Sequence, residues 1–83
     1  MESVRSMTFE QLQASLNQFS VKELTQVYFL LTRDFANIGY KSTNKQVKIQ
    51  SLQECILDIR RAAKLRNRSW VTVQDYLTDR FGD

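Results

Sequence analysis

The chain contains no histidine and no proline, and among its 83 residues it has only one cysteine and two glycines. Each absence excludes something. Without histidine, a serine or thiol nucleophile loses its usual general base, and a structural zinc site loses its commonest nitrogen ligand. Cys55 has no second thiol with which to form an internal disulfide or a sulfur-rich metal site. Phosphate-cradling loops need clustered glycines so that backbone amides can approach the anion, and Gly39 and Gly82 stand far apart. No catalytic residues, cofactor or metal are therefore expected. Two carboxylate pairs, Glu54 with Asp58 and Asp75 with Asp79, have the spacing that shares one helix face. Helix-dipole and ion-pair roles account for them better, since Asp75 falls in the first turn of a helix and Asp58 one turn before Arg61.

No apolar run is long enough to cross a bilayer, and no charged-then-apolar leader opens the chain, so an intracellular, cytoplasmic protein with no membrane partner is expected. With nothing to punctuate the sequence except Gly39 and Gly82, helices are the expected result. The length suits a single domain over residues 1–83, with residues 1–7 flexible.

The first helix should begin at Thr8, whose hydroxyl and Gln11 three places on form a capping box, and should bury Phe9, Leu12, Leu16 and Phe19. Ser20 with Glu23 repeats the signature at once. Helix two then carries Val21, Leu24, Val27, Tyr28, Leu31 and Phe35 on one stripe and ends at Asn37-Ile-Gly39, where glycine takes the left-handed C-cap conformation. After a polar connector from Tyr40 to Asn44, Thr43 with Gln46 caps a long helix to about Arg66, whose core face is Ile49, Leu52, Ile56, Ile59 and Ala63. Thr72 with Asp75 caps a short last helix bearing Val73, Tyr76, Leu77 and Phe81, closed by Gly82. The fold class is all-α, a small bundle of about four helices with the third longest.

Charge is distributed unevenly. The net charge is only +3, but residues 1–40 hold three basic and four acidic groups, whereas Lys41 to Arg68 hold eight basic groups against Glu54 and Asp58 alone. On helix three, Arg60, Lys64 and Arg68 follow at four-residue steps with Arg61 beside them, forming a strip next to the core stripe. Lys41, Lys45 and Lys48 offer a second anion contact at the other end of the helix, where the dipole also favours negative charge. Gln46, Gln50, Gln53 and Asn67 lie among the cations and can bond to bases or sugars. Cations also gather at helix C-termini for the dipole's sake or simply solvate an outer face. The strip nevertheless makes nucleic acid, DNA or RNA, the expected partner.

Apolar residues off the core stripes support a different expectation. Phe29 and Leu30 point away from the stripe of helix two, and Leu57 and Leu65 point out of that of helix three. They either pack under neighbouring helices or anchor a protein partner or a second copy in a homodimer, with the cations as a steering rim. Trp70 can stack on a base, or pack back onto the last helix as a staple. Cys55, next to Leu52 and Ile56, reads as a small inert hydrophobe.

The stretch Ser20-Val-Lys-Glu-Leu-Thr25, followed by Gly39-Tyr-Lys-Ser-Thr-Asn-Lys-Gln-Val-Lys-Ile49 and Leu52, resembles a SAP-type helix–extended loop–helix motif. The resemblance covers fewer than half the residues. It implies DNA binding, with phosphate contacts from Lys41, Lys45 and Lys48.

Overall fold

The computed structural model describes residues 2–34 and 41–83, with the backbone alone described for Glu2 and Ser3. Among these residues a helical turn, Glu2–Arg5, precedes four helices: α1 (Phe9–Ser15, prolonged by a 3-10 turn at Leu16–Gln18), α2 (Val21–Thr32), α3 (Lys45–Leu65) and α4 (Val73–Phe81). The architecture is a small all-α bundle with α3 the longest helix. Among the described residues no helix is long and apolar enough to cross a membrane.

Helix starts follow from local chemistry. Thr8, Ser20 and Thr72 each accept a bond from the backbone N–H three residues on, while Gln11, Glu23 and Asp75 reach back to the cap's own N–H. Three capping boxes thus satisfy six of the amide groups that helix starts leave without partners. The bonds from Ser20 hold the Glu23 carboxyl below its ordinary range. The start of α3 differs from expectation. Asn44, not Thr43, is the cap, and its side-chain oxygen accepts from both Gln46 and Val47 N–H. One planar amide oxygen thereby serves two donors, which a Thr43–Gln46 box would not do in this register.

Helix ends depend on longer-range partners. α2 stops at Thr32, where Arg33 takes the left-handed conformation (φ 56°) and donates its N–H to the Phe29 carbonyl at 2.7 Å. A non-glycine residue there is disfavoured by about 1 kcal/mol. The Arg33 guanidinium compensates by pairing with Asp83 and lying 4.5 Å from the Phe81 ring centroid. The expected end at Asn37-Ile-Gly39, and the stripe residue Phe35, lie outside the described residues, as does Tyr40. At Gly82 the left-handed cap stands where expected (φ 74°).

The core joins all four helices. Leu12 and Leu16 of α1, Leu24, Val27 and Leu31 of α2, Leu52 and Ile56 of α3 and Leu77 of α4 are fully buried. Residues 1–7, expected to be flexible, include the Glu2–Arg5 turn, and Val4 is buried with this core. Phe29 and Leu30 are half-buried, Leu30 against the core, so neither stands free on the surface. α2 and α3 share the most extensive helix contact. Tyr76 anchors α4, its buried hydroxyl donating to the Leu31 carbonyl at 2.7 Å and its ring meeting Phe9, Trp70 and Phe81 edge-on.

One contact sets the geometry of the site. The segments leading into α1 and α4 run antiparallel, with Phe9 N–H donating to the Val71 carbonyl (3.3 Å) and Val73 N–H to the Met7 carbonyl (2.9 Å). Two helix starts, far apart in sequence, therefore lie side by side, and the 68–71 linker is drawn across the C-terminal half of α3.

Candidate nucleic-acid interface

The seven candidate cations do not form one surface. From Lys45 to Arg60 is about 22 Å along α3 at 1.5 Å per residue, so the lysine group and the arginine group occupy opposite ends of the helix. Within the lysine group only Lys41 is exposed. Lys45 is half-buried and donates to the Asn17 carbonyl at 3.0 Å. Lys48 is 3 % exposed, and burial pushes its ammonium below the ordinary lysine range. Its register explains this, because Lys48 precedes Leu52 by four residues and so falls on the core face. Lys48 does not belong on a phosphate-binding surface.

At the other end, Arg60, Lys64 and Arg68 border a single crevice of about 290 Å³. Its floor is apolar, formed by Phe9, Ile59 and Ala63, and its walls are Trp70 and Val71. Arg68 lies beyond the end of α3, and the chain reversal that brings it back is a Schellman motif. Asn67 takes φ 53° and donates to the Lys64 carbonyl (3.1 Å), while Arg68 N–H donates to the Ala63 carbonyl (2.8 Å). Asparagine tolerates this left-handed position better than other non-glycine residues. Arg61 points elsewhere, pairing with Asp58 at 3.2 Å on a face where both side chains are 73 % exposed.

Two of the three crevice cations also have protein partners. Arg60 donates to the Gln13 side chain at 2.8 Å and lies 3.7 Å from Glu10, and the Arg68 Nε lies 3.6 Å from Asp79. Asp79 also accepts the Trp70 indole N–H at 2.7 Å, fixing the ring as a wall of the crevice. Trp70 therefore packs back onto α4. Exposed pairs of this kind stabilise by only about 0–1 kcal/mol. Val71, a crevice wall that sequence reasoning missed, is 59 % exposed, and its one signal is an apolar residue stranded just before a helix cap.

A larger groove of about 620 Å³ opens elsewhere between α2, α3 and α4, bordered by Tyr28, Cys55, Tyr76, Phe81 and the charged Glu54 and Arg80. Burial, reinforced by the Asp58 carboxylate, pushes the Cys55 thiol up to about 11, which leaves it protonated and unreactive at neutral pH. Burial likewise raises the Tyr28 and Tyr76 phenols. Among the described residues no group of three acidic or thiol side chains converges as metal ligands would.

No family model, curated protein or solved structure matches the chain.

Proposed function

We propose that this domain binds nucleic acid through its phosphate backbone, with Arg60, Lys64 and Arg68 as the principal contacts. The observation that supports this reading is the convergence of these three cations on one crevice. Glu10, the highly exposed carboxylate 3.7 Å from Arg60, is weakly held and exchangeable for phosphate, whereas Asp79 also holds the Trp70 indole N–H. Lys41 and Lys45, which the SAP-type resemblance would assign to DNA, lie too far along α3 to share the same few phosphates and would touch only a longer ligand.

Three neutralised phosphates correspond to a log–log salt slope of about −2 on single strands and about −2.7 on duplex. Between about 50 and 200 mM salt, affinity for a single strand should fall by roughly twentyfold, measurable by fluorescence polarisation. Changing Arg60, Lys64 and Arg68 together to Gln should abolish binding with helicity unchanged. Changing Lys22, Lys41 and Lys45 to Gln removes the same net charge and should leave most binding intact. Equal losses from the two triple variants would reduce the interaction to overall charge and refute the assignment.

A second reading, a protein-interaction or dimerisation module, draws on the exposure of Leu65 (86 %) and Leu57 (43 %). Of the four apolar candidates these two remain available, since Phe29 and Leu30 are half-buried. If Leu57→Asp or Leu65→Asp dissolves an association seen by light scattering while the cation variants are silent, this second reading replaces the first.

A further inference from the structure

The cations do not stand on a polar surface, as a site that only tracks phosphates would allow. They surround an apolar floor, and this suggests what else the ligand presents. We infer that the bound strand is single-stranded and seats one unpaired base in the crevice between Trp70 and Val71, an inference that rests on the nucleic-acid reading above. In a duplex the base faces are stacked and paired, so only phosphates, sugars and groove edges could meet this surface. A single strand offers free π-faces, which apolar and aromatic side chains take up regardless of base identity.

The same geometry argues against sequence readout. The Val71 carbonyl already accepts from Phe9 N–H, and Val71 N–H already donates to the Ser69 carbonyl. The Trp70 indole N–H is committed to Asp79. Ser69 is the one hydroxyl on the lining, and its other side-chain donors, Arg60, Lys64 and Arg68, are the groups assigned to phosphate, which leaves base edges few further partners. The ligand class is therefore single-stranded DNA or RNA without strong sequence preference.

Trp70 is the only tryptophan and lines the crevice, so its fluorescence reports occupancy. The intact chain is titrated at low salt with a short labelled oligothymidylate, the same backbone carrying abasic residues, and a duplex of equal length, reading polarisation and Trp70 emission together. The base-bearing strand should bind about tenfold more tightly than the abasic one and quench Trp70, whereas the duplex should bind without quenching. Val71→Ser, at an exposed wall position, should erase the preference for the base-bearing strand while leaving the salt slope unchanged. If the abasic strand binds equally well, or the duplex quenches equally, the base seat is wrong and phosphate binding stands. Binding of none of the three overturns both.

Discussion

Replacing Tyr76 by Phe removes one oxygen and tests how α4 is held. Its hydroxyl is buried and donates at 2.7 Å to the Leu31 carbonyl, in the last turn of α2 where carbonyls lack intrahelical donors. The variant loses a hydrogen bond and leaves an acceptor unsatisfied, a combined cost of about 1–2 kcal/mol. In a domain of this size each kcal/mol moves the melting temperature by about 4–8 °C, so a fall of roughly 5–12 °C is expected by circular dichroism. Tyr76→Leu also forfeits the edge contacts to Phe9, Trp70 and Phe81, with centroids 5.3 to 6.0 Å away, at about 0.5–1.5 kcal/mol each. It should therefore melt well below the Phe variant and loosen the Trp70 wall of the crevice. Burial raises the Tyr76 phenol, an effect that Arg80 and Arg33 partly offset, so its stabilisation is complete below about pH 10 and is lost as pH rises further. The gap between parent and Tyr76→Phe should accordingly narrow in strong alkali. A Phe variant melting within about 2 °C of the parent at neutral pH would refute the role given to the hydroxyl.

At Asn67, Gly should be neutral or slightly stabilising because it accepts φ 53° without a Cβ, whereas Val should cost about 1–2 kcal/mol and weaken oligonucleotide binding by displacing Arg68. Urea titration and polarisation on the same two variants check both effects. A thiol at about 11 is roughly a hundredfold less ionised at pH 8 than one at 9, so Cys55 should label with a disulfide reagent about a hundredfold more slowly in the folded chain than in urea. Its folded-state value is raised, so it contributes stability below about pH 9 that is lost as pH climbs through 11, up to about 2–3 kcal/mol. Cys55→Ala should lessen this alkaline loss in pH-dependent melts.

Three of the four expected helix starts were legible in the sequence because a capping box spans only four residues, whereas at α3 the cap is Asn44 and not the Thr43 of the expected box. Thr8, Ser20 and Thr72 cap where their spacing to Gln11, Glu23 and Asp75 indicates. Helix ends were less so. The left-handed Arg33 is stabilised by Asp83 fifty residues away, a partner no local window contains. Side-chain character also misled at Lys48, where charge suggests a surface although the distance to Leu52 places it inward. Arg60 and Arg61 look equivalent in a list of cations, yet adjacent positions differ by about 100° around a helix. One turns toward α1 and the crevice, the other toward Asp58 and solvent. The crevice itself was invisible, since its walls come from a linker positioned by the pairing of Thr8 with Thr72.

This assembly from separate elements bears on how a small bundle tolerates three cations around one apolar floor. Neighbouring charges about 6 Å apart in water repel by about 0.7 kcal/mol, a noticeable fraction of the stability of so short a chain. Glu10 of α1 and Asp79 of α4 lie beside the outer two cations and offset that repulsion in the free domain. On the proposed function, a phosphate arriving at Arg60 supplies the same negative charge and releases Glu10 to water, while Asp79 stays with the Trp70 indole N–H, so the protein's own electrostatic energy changes little. The proposed binding would then gain its free energy from counterions leaving the strand and from apolar surface covered in the crevice. On the proposed function the Arg60–Glu10 pair is a placeholder for the ligand, and its weakness is what makes that cation usable.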